Sequence, residues 1–194
     1  MTFATLVHVL LAVVPAGFAI ILHEVAHGYA ALLLGDTTAR DQGRLSLNPL
    51  RHVDRMGTIV LPGILLLSQL LTIGQVRFVF GYAKPVPVSA WKFAHPRRGM
   101  ALVAAAGPAM NFALAWLTAL LVPGLADAVM ADTPADMDTL SPWIVVPLYF
   151  MLTNMVLGLF NLLPVPPLDG GRIAVGLLPE RLAQAWAGLE RYGT

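Results

Sequence analysis

The sequence predicts an all-α polytopic membrane protein, with three core transmembrane helices, a re-entrant apolar segment and a short β-hairpin. Three observations predict it. Hydrophobic residues make up 57% of the 194 residues and charged residues 12%, against roughly 45–50% and about 25% in soluble globular proteins. Four windows, Met1–His23, Met56–Val76, Gly99–Ala126 and Thr139–Leu168, contain no Asp, Glu, Lys or Arg and together hold 102 residues. Crossing hydrocarbon as a helix takes about 20 apolar residues. Between those windows lie polar, Gly- and Pro-punctuated connections, as expected of loops.

Each element follows in order. The first helix is expected from about Thr5 to Leu34, closed by Gly35, with Pro15 and Gly17 able to kink it. A polar stretch, Asp36–Arg55, carries Gly43, Asn48 and Pro49 as turn formers. The apolar run Gly57–Ile73 is interrupted by Pro62 and Gly63 and is marginal in length for a complete span. Residues Val76–Val88 are β-branched and aromatic around Gly81 and read as a hairpin, which Pro85 and Pro87 restrict to an edge. Long apolar helices are expected over Gly99–Val122 and Trp143–Leu162, the second broken by Pro164, Pro166 and Pro167. A short amphipathic piece from Asp169 to about Leu178 precedes a polar tail.

Lys and Arg favour cytoplasmic loops. If Gly57–Ile73 crosses fully, the basic residues divide eight to four between the two sides. If Gly57–Tyr82 enters and leaves on one face, all twelve share a side. The opposite side then keeps only the uncharged N-terminus and Asp127, Asp132, Asp136 and Asp138. The cleaner split favours re-entry, with the N-terminus outside. Nothing before Glu24 supplies the basic n-region of a signal peptide, so the first apolar run is read as mature structure.

This composition excludes a soluble domain, a disordered chain and a nucleic-acid binder. The net charge of +1 is silent about acidic partners, and the absence of cysteine excludes disulfide and thiolate chemistry. No repeat or linker divides residues 1–194, which read as a single domain.

The chemistry concentrates in His23-Glu24-Val25-Ala26-His27. Positions i and i+4 share a helical face, so both imidazoles can reach one metal ion, and Glu24 beside them can take a proton from a bound water. The alternative is a hydrogen-bonded histidine pair with Glu24 as partner. Three ionisable groups in an apolar helix are costly enough to favour the metal. Two histidines leave a catalytic zinc site short of a third protein ligand. His8 lies about 22 Å away along the same helix, and His52 and His95 sit in polar loops. Asp169 is the better candidate: it is the only acid between Thr139 and Pro179 and follows a proline-broken segment. Its other reading is an N-cap of the short helix that follows. Asn161 is read either as helix–helix glue or as a donor to a developing oxyanion. Asn111 and Asn154 are read as structural glue.

With these residues in view, the chain resembles the site-2 protease family of intramembrane zinc metalloproteases, in particular its compact bacterial and archaeal members without a PDZ domain. Three elements carry the resemblance: His23–His27, Gly107-Pro108-Ala109-Met110-Asn111, and the run from Asn161 to Gly170. Tyr82–Val88 and Gly43–Leu50 are similar to segments of the compact subgroup. The connection Ala126–Leu140 is far too short for an inserted PDZ domain. The resemblance implies that His23, His27 and Asp169 ligate one zinc ion, that Glu24 activates water, and that Asn161 positions or stabilises the scissile carbonyl. It implies a hairpin that enters from the cytoplasmic side and offers an edge to extended substrate. It also implies a further hydrophobic helix after the third motif, so the chain reads as truncated or as a short variant.

The expected function is therefore an intramembrane zinc endopeptidase acting on membrane-protein helices or extended segments. Its setting is the lipid bilayer of a prokaryotic inner membrane, with the site toward the cytoplasmic half, no nucleic-acid partner and an open oligomeric state. A metal or proton transporter using the same cluster as a relay is the alternative. An inactive scaffold would predict a damaged motif, and none is visible.

Overall fold

The computed structural model describes residues 3–74, 81–125, 127 and 141–188. Helix α1 spans Phe3–Leu33 and α2 is the short turn Thr38–Asp41. Helix α3 covers Leu61–Ile73, α4 Pro96–Leu121 and α5 Pro142–Asn161. Helices α6 (Asp169–Leu177) and α7 (Glu180–Gly188) complete the described chain. Pro96 and Pro142 open α4 and α5, where a missing N–H costs nothing. The Asp-rich loop expected opposite the basic side lies outside the described residues, except for Asp127.

Among the described residues, four helical stretches are long and apolar enough to cross a bilayer: Val13–Leu33, Arg55–Ile73, Pro96–Leu121 and Pro142–Asn161. The polarity of the assembly is inverted relative to a soluble fold. Leu33, Leu71, Leu121 and Trp143 are each at least 74% exposed, while Asn111 and Asn154 are fully buried. Apolar side chains outside and hydrogen-bonded polar ones inside suit a lipid solvent. Helix α4 packs against α1, α5 and α6. Small residues at the contacts, including Ala19, Ala26 and Ala31 on α1 and Ala104, Gly107 and Ala115 on α4, let the backbones approach closely. Contacts between His23 and Asn111 and between His27 and Val103 show that α4 runs antiparallel to α1.

The excursion between α2 and α4 departs from expectation in two ways. Pro62 does not interrupt the helix. Arg55–Val60 forms a π turn, capped by the Asp54 carboxylate on the Met56 and Gly57 N–H groups, and leads directly into α3. Pro62 falls in the first turn of α3, where its ring and absent N–H are tolerated.

The expected hairpin is the second departure. Its first arm, 76–80, lies outside the described residues, and no strand occurs among the described residues. Residues 81–89 run without regular structure because their donors go elsewhere. Tyr82 N–H donates to Gly57 O (3.0 Å), Lys84 N–H to His52 O (2.9 Å), Val86 N–H to Glu24 (3.0 Å) and Ser89 N–H to Asp36 (2.6 Å). Pro85 and Pro87 have no N–H to give. Arg44, buried, donates to the carbonyls of Arg51, Lys84 and Pro85, which ties the two turn-rich segments together.

Beyond α6, the residues expected as a polar tail form α7 up to Gly188. It packs on α6, with Ala183 buried, Arg97 paired to Glu180 at 2.7 Å, and Trp186 Nε1–H donating to Pro164 O at 3.1 Å.

Candidate metal centre

Helix α1 places His23 and His27 one turn apart on the face turned to α4. Their rings stand perpendicular with centroids 4.6 Å apart, and their Nε2 atoms are separated by 3.0 Å. The chain leaves α5 at Asn161, turns through the proline-rich run and starts α6 at Asp169. No side-chain capping bond is made at the start of α6. The Asp169 carboxylate instead points at the histidines, with Oδ2 3.1 Å from His23 Nε2 and 3.2 Å from His27 Nε2. That aim favours the ligand reading of Asp169 over the N-cap. Gly170 and Gly171 make the turn feasible, since a Cβ at either would run into the backbone of residues 162–166.

The donor set fits a divalent cation. His27 Nδ1–H donates to Val103 O at 2.7 Å, and His23 Nδ1 faces Asn111 Oδ1 at 2.6 Å. In the neutral form, a proton on each Nδ1 leaves unprotonated Nε2 lone pairs that face each other and a carboxylate oxygen. Asp169 Oδ2 is buried with no hydrogen-bond donor. Three electron-rich atoms within 4.8 Å of one another, all largely buried, repel unless a cation lies between them. Two imidazoles and one carboxylate, with the far ring nitrogens anchored to oxygens, form the donor set of a catalytic zinc centre. Gly107 keeps the space open: a Cβ there would stand 2.5 Å from His27 Nε2 and from His23 Cε1. Nothing in the sequence alone marked this glycine as a spacer, because the constraint comes from a helix 80 residues away.

Glu24 and Asn161 share a cavity of about 620 Å³ with the cluster, bounded on another side by Tyr82, Ala83, Pro85 and Val86. One Glu24 oxygen accepts the Val86 N–H, which leaves carboxylate lone pairs available to a water. Asn161 Nδ2 donates to Leu157 O within its own helix at 3.0 Å. The other histidines stay apart: His52 is buried in its loop with Nε2 2.7 Å from Ser46 O, and His95 is exposed at the start of α4. The side chain of His8 lies outside the described residues.

A helical membrane bundle with two histidines, an aspartate and a neighbouring glutamate around an internal cavity defines an integral-membrane metalloprotease class. The chain belongs to Peptidase family M50, the site-2 protease family, whose profile matches residues 11–187. It is 39% identical over 176 residues to "Putative zinc metalloprotease YwhC" of Bacillus subtilis (strain 168), covering 89% of this chain and 71% of that protein. It is 32% identical over 162 residues to "Putative zinc metalloprotease Rip2" of Mycolicibacterium smegmatis, covering 82% and 54%. The protein of the same name in Mycobacterium tuberculosis is 34% identical over 149 residues, covering 77% and 50%. The chain thus spans about half the length of these mycobacterial relatives. No solved structure matches it. Zinc is the metal that family and donor set agree on.

Proposed function

We propose that this chain, as a single domain, hydrolyses peptide bonds within or beside transmembrane segments of other membrane proteins. The observation that carries this is the Glu24 carboxylate sharing one internal cavity with the His23, His27 and Asp169 cluster. When bound, zinc supplies Lewis-acid polarisation and a water of lowered pKa. His23, His27 and Asp169 hold it. Glu24 accepts the proton of the attacking water and returns it to the leaving amine nitrogen. Asn161 turns its amide from Leu157 O to the substrate carbonyl oxygen as that oxygen gains charge. The substrate enters locally extended, since a helical peptide bond is shielded by its neighbours, and lies along residues 82–88.

The contact between the two ends of the α3 excursion supports re-entry. Gly57 O accepts from Tyr82 N–H, so the chain returns to the point where it left. His27 is six residues from Leu33, about 9 Å along the helix axis, and Arg40 and Arg44 follow that end. The bias of basic residues then assigns the site to the cytoplasmic half of a prokaryotic inner membrane.

The test uses the chain reconstituted with zinc and a panel of single-span peptides, with or without a helix-breaking segment. Wild type is expected to cleave the broken helices. Glu24→Gln should keep about one zinc while losing about 10²–10⁴-fold in rate, and Asp169→Ala should lose the metal. Cleavage that survives Glu24→Gln would remove Glu24 as the base, and zinc fully retained by Asp169→Ala would remove the third ligand.

A further inference from the structure

The two buried asparagines that the catalytic reading leaves unused form one directional chain. Asn154 Nδ2 lies 2.8 Å from Phe150 O, Asn154 Oδ1 lies 2.8 Å from Asn111 Nδ2, and Asn111 Oδ1 lies 2.6 Å from His23 Nδ1. Both asparagines are fully buried, so bulk water does not reach these atoms. A backbone carbonyl can only accept. Phe150 O therefore obliges Asn154 to present its amino group there and its oxygen to Asn111. Asn111 must then present its amino group to Asn154 and its oxygen to His23. That oxygen in turn requires a proton on His23 Nδ1 and leaves Nε2 free. A freely rotating Asn111 could equally offer N–H to His23 Nδ1 and place the ring proton on Nε2, where it blocks the metal.

We propose that Asn154 and Asn111 are positioning residues for metal binding, a polarised relay that transmits the direction of the Phe150 carbonyl and locks His23 in its metal-binding tautomer. Asn154 acts at a distance, through Asn111, without approaching the cluster. The proposal rests on the metal-centre reading above.

Wild type, Asn154→Leu and Asn154→Asp are purified in detergent, and zinc affinity is read by competition with a chromophoric chelator. Leucine frees Asn111 to rotate. The aspartate variant preserves the direction, because burial keeps the introduced carboxyl protonated, with its O–H toward Phe150 O and its carbonyl toward Asn111. Asn154→Leu is expected to bind zinc about 10–100-fold more weakly, and Asn154→Asp within about threefold of wild type. Equal affinity of wild type and Asn154→Leu, or an aspartate variant as weak as the leucine one, overturns the relay. If Asn154→Leu does not fold, the ¹⁵N spectrum of zinc-free wild type decides, with the His23 signal assigned by its loss in His23→Gln. An Nδ1–H ring supports the relay and an Nε2–H ring ends it. Wild type that binds no zinc at all would instead count against the metal-centre reading.

Discussion

At the scale of single residues, the centre depends on what surrounds the ligands as much as on the ligands. His23, His27 and Asp169 meet at distances near 3 Å, and Gly107 leaves room for the two imidazole rings where a side chain would collide with them. Gly107→Ala would overpack that space at a cost of about 1–3 kcal/mol, which, falling on the ligand geometry, weakens zinc binding by about 5- to 150-fold. Gly17→Ala is the matched control, since a Cβ there meets nothing within 4 Å. Chelator competition on both variants checks this, and equal affinities would show that the site tolerates a methyl group beside its ligands. The histidine pair and Glu24 are legible from spacing alone, because the helix period places them. Asp169 is legible only as an isolated acid after a helix break. The value of Asn111 is hidden, because an asparagine in an apolar helix reads as glue until its partners are known.

Among elements, the segment 81–89 shows most clearly where pattern reading stops. Its β-branched and aromatic residues favour an extended chain, and the expectation of a hairpin follows. The structure supplies other partners for its N–H groups: backbone carbonyls of residues 52 and 57 and the carboxylates of Glu24 and Asp36. Asp36 anchors the far end. Burial pushes its carboxyl upward, but the Ser89 N–H, the Thr38 hydroxyl and N–H, and Lys92 outweigh burial and hold it down at about 2, from an ordinary 3.8. A depressed folded-state value means stability that is present above the unfolded pKa and lost as the proton binds in the folded state. Asp36 therefore contributes fully above about pH 4, and the contribution fades as the pH falls toward 2. Thermal unfolding of wild type and Asp36→Asn across pH 2–6 checks the sign: their difference should shrink as the pH falls. A constant difference would mean that Asp36 acts by packing alone. Helix α7 was hidden for the opposite reason, since its exposed polar positions mask a narrow contact made by buried Ala183 and by the Trp186 N–H bond to Pro164 O.

Over the whole molecule, the open choice is how the α3 excursion lies relative to the bilayer. Helix α3 is almost wholly unburied by protein, and its preceding π turn is held beside Tyr82. An apolar helix with so little protein cover suits lipid around it, and the Gly57–Tyr82 contact keeps residues 57 and 82 side by side. Cysteines introduced singly at Ser46 and Ser89 in an otherwise cysteine-free chain should both label from the cytoplasmic side. Labelling from opposite sides would make Arg55–Ile73 a complete crossing and return the basic residues to an eight-to-four split.

The sequence by itself determined the solvent, the long apolar helices and the pairing of His23 with His27 on one helical face. Long charge-free windows leave a chain no other home than lipid, and the helical period brings His23 and His27 together without help from elsewhere. Only the tertiary structure decided which way Asp169 turns, which glycine keeps the centre open and how the amides of Asn111 and Asn154 are oriented. Those are properties of contacts between helices more than 40 residues apart. They are set by packing and hydrogen-bond direction, and neither leaves a periodic trace along the chain.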